Sequence, residues 1–138
     1  MKKLLLIPVL LLISTSLFAH DILNAVKNND LPAIKYLLNK GYNINAANKN
    51  GETPLLLAVK LQNERLAYYL IEKDAAINQT DKQGCTPLMH AVRNQNSKMV
   101  KMLLQHGADK AQQDASHKTA LQYAKQANNT ELIELIGE

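Results

Sequence analysis

Few residues in this chain could do chemistry, and their spacing argues against most kinds of it. Four histidines, His20, His90, His106 and His117, and a single cysteine, Cys85, are the nitrogen and sulfur donors of the 138-residue sequence. No two histidines stand four apart, as a helical metal pair requires, and no second cysteine completes a thiolate pair, so each histidine reads as solvated or turn-packed. A glycine-rich phosphate loop and a Gly-x-Ser-x-Gly elbow are both missing. Glu131 and Glu134 fall on one helical face, where they read as solvated. The expectation is therefore of no catalysis, no metal and no cofactor, and what is left is a surface. Cys85 keeps two readings open, a neutral loop residue or a reactive, intermolecular thiol. With one cysteine no internal disulfide exists, so packing alone must hold the chain together.

The elements that carry these residues recur. Gly84-Cys85-Thr86-Pro87-Leu88-Met89-His90-Ala91 returns 33 residues earlier as Gly51-Glu52-Thr53-Pro54-Leu55-Leu56-Leu57-Ala58 and 33 later as His117-Lys118-Thr119-Ala120-Leu121-Gln122-Tyr123-Ala124. Asn48, Asp81 and Asp114 open the units. Ala25, Ala58, Ala91 and Ala124 share one phase, as do Asp30, Asn63, Asn96 and Asn129, and Leu37, Leu70, Leu103 and Ile136 close the second apolar run. A period of this length with Thr-Pro-Leu at its centre, then Ala, then Leu103-Leu104-Gln105-His106-Gly107-Ala108-Asp109, resembles the ankyrin repeat.

The resemblance covers about Asp21 to the C-terminus. It implies an all-α fold, an ankyrin-type solenoid of about four helix-turn-helix repeats with capping terminal repeats, at about 20–47, 48–80, 81–113 and 114–138. Scarce aromatics and abundant Leu, Ala, Lys and Gln suit such thin helical layers.

Local signals place the helices. Asp21 opens a helix from Ile22 to about Asn28, and Asp30 caps a second one at about Leu31 to Asn39 with Pro32 in its first turn. Thr53 and Thr86 are natural N-caps, with Pro54 and Pro87 at the first helical position, so short helices run to about Leu61 and Asn94. The chain departs from the family twice. The inter-helix turn, usually a glycine, holds Asn29, Gln62, Gln95 and Asn128, and glutamine tolerates left-handed backbone poorly, which puts standard geometry in question there. The histidine that follows Thr-Pro-Leu in the family is replaced by Leu56, Met89 and Gln122. These are expected to pack against a neighbouring layer, and His90, one place later, is not expected to tie the turn in its stead.

Met1-Lys2-Lys3, the apolar run from Leu4 and the small-residue end Ser14-Thr15-Ser16-Leu17-Phe18-Ala19 have the layout of a secretory signal peptide, residues 1–19, cleaved near Ala19, with the bond after Ser16 as the alternative. Leu4 to Ala19 falls short of the roughly 20 residues that span a bilayer. The expectation is a periplasmic, exported protein with no membrane span after cleavage. With Lys2 and Lys3 removed, the 16 basic residues become 14 against 12 acidic ones, so overall charge says little about partners.

Charge distribution says more. Residue by residue, the groove that the resemblance implies carries Lys49, Asn50, Glu52, Lys60 and Leu61, then Lys82, Gln83, Cys85, His90, Arg93 and Asn94. Lys27 and Asn28 join from the first unit, and Ser116, Lys118 and Gln126 from the fourth. The groove is basic, while Glu64, Glu72, Asp74, Asp109, Glu131 and Glu134 fall on second helices and the loops after them. The function expected is a non-catalytic protein-protein interaction module of the bacterial envelope, a monomer binding an acidic protein surface. An exported chain without aromatic interleaving is not expected to bind nucleic acid. Two alternatives stay open: an inhibitor or immunity protein that blocks a toxin or hydrolase, and an accessory to an exported redox enzyme such as catalase.

Overall fold

A computed structural model describes residues 22–137. The expected signal segment lies outside them, as does the capping role given to Asp21. Residues 22–27 form helix α1. There follow α2 (Leu31–Asn39), α3 (Pro54–Lys60), α4 (Glu64–Glu72), α5 (Pro87–Arg93), α6 (Ser97–Gln105), α7 (Ala120–Gln126) and α8 (Thr130–Gly137). No strand occurs among the described residues, and no helix there is long and apolar enough to cross a membrane.

Each helix from α2 to α8 starts where a short oxygen-bearing side chain meets orphan amides. Oγ1 of Thr53, Thr86 and Thr119 accepts from the amides of Leu56, Met89 and Gln122 at 3.2, 3.2 and 3.4 Å. The second helices use Asp30, Asn63, Asn96 and Asn129, which accept from Ala33, Leu66, Met99 and Leu132 at 3.0–3.1 Å. Such caps are worth about 1 kcal/mol each. Two residues expected only to pack also reach back. Met89 Sδ accepts from Thr86 N at 3.5 Å and Gln122 Oε1 from Thr119 N at 2.8 Å, so each closes a capping box, whereas Leu56 is simply buried.

The turns between helices keep the left-handed residue despite their side chains. Asn29, Gln62, Gln95 and Asn128 have φ of 53, 57, 54 and 51°. The amide after each returns to the alanine column, Asp30 to Ala25, Asn63 to Ala58, Asn96 to Ala91 and Asn129 to Ala124, at 2.8–3.2 Å. This pattern satisfies orphan carbonyls at the helix end and offsets the 1–2 kcal/mol that a side chain costs in this region. The glutamine turns are therefore regular.

The helices form two layers. First helices α3, α5 and α7 pack side by side, and second helices α4, α6 and α8 do likewise. Among first helices, α3 and α5 bury six of their seven residues against Ala120 and Ala124 alone in α7; among second helices, α2 buries Ile34 alone against four residues in α4 and three in α6. Terminal units thus have one dry side, as caps do. Asparagines knit the layers: Asn63 Nδ2 donates to Asn29 Oδ1 at 2.7 Å, and Asn45 and Asn78 accept from the amides of Ala76 and Asp109, one unit on, at 2.8 Å.

Candidate functional site

The turn before each first helix is built on one side-chain oxygen. Oδ1 of Asn48 accepts from the amides of Asn50 and Glu52 at 2.9 and 3.0 Å. Asp81 does the same for Gln83 and Cys85, both at 3.0 Å, and Asp114 for Ser116 and Lys118 at 2.8 and 3.0 Å. Glycine completes the turn twice, and at Gly51 the need is double. Its φ is 75°, and an added Cβ would lie 2.9 Å from the backbone nitrogen of Lys82 on the next tip. His117 takes φ 60° in the fourth unit, where no further tip stacks on it among the described residues.

Successive tips are bonded to each other through the backbone. Lys82 N donates to Asn50 O at 3.0 Å and Ala115 N to Gln83 O at 2.9 Å. Lys49, Asn50, Lys82, Gln83 and Ser116 consequently stand exposed along one rigid edge. Lys27, Lys60, Leu61, Arg93 and Gln126 are exposed on or just after the first helices, and Asn94, half-buried, donates to Val59 O at 3.3 Å. The charges here are partly engaged. Lys60 is hydrogen-bonded to Glu52, which also accepts from Asn48 Nδ2, and these two bonds hold its carboxyl below the usual carboxylate range. Arg93 and Lys118 lie 5.7 and 5.6 Å from the centre of the Tyr123 ring, within cation–π reach.

Two of the expected groove residues turn inward. Cys85 is 4 % exposed and His90 9 %, so neither offers a surface to a partner. Both belong to a buried polar cluster between the third and fourth units, beside Asp81 and Asp114, each 7 % exposed. His90 Nε2 lies 2.8 Å from Asp81 Oδ2, Cys85 Sγ lies 3.9 Å from Asp114 Oδ2, and the Tyr123 hydroxyl donates to that same Asp114 oxygen. His90 therefore does tie its turn, contrary to expectation, through a residue nine positions upstream.

Burial sets the protonation of the cluster. Desolvation pulls the His90 imidazole below its ordinary pKa despite the Asp81 carboxylate, so near neutral pH it is uncharged and donates Nε2–H to Asp81. Desolvation, then the Asp81 and Asp114 charges, pushes the Cys85 thiol up, so it stays protonated. The hydroxyl of Tyr123 lowers Asp114, and Asp114 in turn raises Tyr123 to about 12. Inert as a nucleophile, Cys85 loses its reading as a reactive thiol.

Asp81, Asp114 and Tyr123 were not singled out as site residues by their sequence. A signal existed: His90 and Tyr123 occupy one column of the repeat, and the second unit fills that column with the buried Leu57. Polar residues in an apolar column demand a buried partner. A separate hollow of about 380 Å³ lies at the other side of the units, lined by Asn29, Leu31, Pro32, Lys35, Arg65 and Leu66, and contains none of the expected partner-binding residues.

A family model for ankyrin repeats, in three copies, matches residues 22–114. No curated protein matches the chain. The fourth unit, past the matched span, repeats the geometry nonetheless, with its own Asp114 turn, Thr119 cap and left-handed Asn128.

Proposed function

Because this chain belongs to the ankyrin repeat family, whose members are generally protein-protein interaction modules and typically non-catalytic, we propose that it captures an acidic protein surface across its turn tips and first helices. The observation that carries this reading is the tip edge itself. Backbone bonds between tips hold Lys49 and Lys82 in a fixed array, with Arg93 exposed on the helix behind them. A rigid backbone edge needs no loop ordering on binding, and the cations it carries steer an anionic surface towards it. Glu52, paired with Lys60, and the buried carboxylates of Asp81 and Asp114 are outnumbered by Lys27, Lys49, Lys60, Lys82, Arg93 and Lys118, which leaves the field positive.

The protein works in this reading as a monomer in the bacterial envelope, after loss of its first 19 residues. The intact mass of protein recovered from the periplasm tests the location, and full-length chain in the cytosol overturns it. The partner is tested by replacing Lys49, Lys82 and Arg93 together with Glu, all three being exposed. Capture of the acidic partner from an envelope extract should fall at least about tenfold in the variant, and the wild-type association rate should fall as salt screens the field. Binding that ignores both the reversal and the salt overturns the electrostatic groove.

A further inference from the structure

The buried cluster contains more donors than its turns require. Oδ1 of Asp81 and of Asp114 builds the turns, as Oδ1 of Asn48 does in the second unit without any imidazole or thiol nearby. The column of Cys85 is filled by Glu52 and Lys118 in the neighbouring units, and that of His90 by Leu57 and Tyr123. Only the third unit places a thiol and an imidazole in those two columns, and it buries both against two carboxylates. Donor atoms of Asp81, Cys85 and His90 all lie within 4.8 Å of one another, and Asp114 Oδ2 is 3.9 Å from the sulfur.

We propose that Asp81, Cys85 and His90, with Asp114 as fourth donor, bind a divalent transition-metal ion of borderline softness, zinc foremost. One sulfur, one nitrogen and two carboxylate oxygens is a four-donor set that suits tetrahedral zinc, and a thiol and an imidazole make it a poor site for magnesium or calcium. Bonds of about 2.0–2.3 Å require donors roughly 3.3–3.6 Å apart, so the separations, within 4.8 Å among Asp81, Cys85 and His90 and 3.9 Å from Asp114 to the sulfur, shorten by up to about 1.5 Å through side-chain rotation. Three further features favour the ion. The imidazole is already neutral, each carboxylate is held in orientation by two backbone amides through its other oxygen, and the thiol's contact with Asp114 is long, at 3.9 Å. On binding, Cys85 releases its proton to solvent and sulfur binds as thiolate. His90 exchanges its hydrogen bond to Asp81 for a bond to the metal, with Nε2–H moving to the other ring nitrogen by way of solvent. The bound ion joins residues 81–90 to Asp114 and thereby clamps the fourth unit onto the third. This inference does not depend on the partner-binding reading.

The test uses the tag-free chain after treatment with chelator. Cobalt(II) should bind with one-to-one stoichiometry and give a thiolate-to-cobalt charge-transfer band with the intense visible bands of four-coordinate cobalt, and zinc should abolish both. At a free zinc concentration about a hundred times the Kd, Tm should rise by roughly 10 °C. Cys85→Ser should lose the charge-transfer band and weaken zinc binding by more than about tenfold. His90→Tyr copies the tie that Asp114 makes to Tyr123, so it should weaken zinc binding similarly while the metal-free chain stays folded. His106→Ala, which removes an exposed imidazole 3.5 Å from Glu72, should change nothing. The proposal is overturned by a cobalt spectrum without a thiolate band together with a Tm indifferent to zinc. It is equally overturned if zinc stabilisation survives in both Cys85→Ser and His90→Tyr, or vanishes in His106→Ala.

Discussion

The turn of the second unit and the turn of the third share a backbone and differ in everything around it. In both, one side-chain oxygen collects two amides. In the second unit the remaining amide group of Asn48 reaches the half-buried Glu52, which meets the exposed Lys60, so the arrangement opens to water at its Lys60 end. In the third, the remaining oxygen of Asp81 faces a buried imidazole, with a buried thiol, a second carboxylate and a tyrosine beyond it. Exposed pairs are screened and contribute little, whereas buried ones are costly to break. The repeat therefore specifies the turn once and leaves the other terminal atom of its first residue, an amide nitrogen in Asn48 and a carboxylate oxygen in Asp81, to take on a different environment in each unit.

The most severe way to break the comparison is to remove the fourth unit, residues 114–138. This takes away Asp114 and Tyr123, bares the faces of α5 and α6, including Val100 and Leu103, and leaves the second unit untouched. Aggregation or a fall in Tm of more than about 10 °C is expected, because neighbour interfaces dominate stability in such arrays. A truncated chain that melts like the intact one would mean that the cap lies elsewhere.

A sharper contrast comes from two matched substitutions. Asp81→Ala deprives the amides of Gln83 and Cys85 of their acceptor and strands a buried His90, at a cost of about 3 kcal/mol. Asn48→Ala removes the same two bonds from a turn that water can reach and should cost about 1 kcal/mol. Urea unfolding of the metal-free variants measures both, and equal losses would show that burial does not separate the two turns.

The smallest effect is a pH dependence. His90 is depressed below 6.5 in the folded chain, so the unfolded chain takes up its proton first. The stability it contributes is present above pH 6.5 and is lost as pH falls through its folded pKa. Lys60 and Arg93 reinforce the depression and Asp81 opposes it. Metal-free protein should lose a few degrees of Tm between about pH 7.5 and pH 5, and His90→Tyr should flatten that slope. The alkaline side has the opposite sign. Cys85 and Tyr123 are both raised, so stability falls as pH climbs past 9.0, and again between 10.0 and about 12. A wild-type acid slope identical to that of His90→Tyr would assign the titration to other groups.

Much of this molecule is decided within a few residues of chain. The repeat phase, the threonine and asparagine caps, Pro54 and Pro87 at helix starts, and helix ends at Asn39, Lys60 and Arg93 follow from hydrogen bonds that span three to five positions and from apolar periodicity. A sequence displays such relations directly. Exposure of Lys49, Lys82 and Arg93 belongs in the same class, since tips and polar helix faces are set by that phase. The stacking of units decided the rest. Gln62 and Gln95 adopt left-handed backbone because the bonds closing the turn outweigh a modest strain, a balance that residue preference alone estimates poorly. Cys85 and His90 left the groove for the same reason that Asp114 reached the Cys85 sulfur from 29 positions away. Which side chains meet across a unit boundary depends on the offset between layers, and a 33-residue period fixes where units begin but not how they lie on one another.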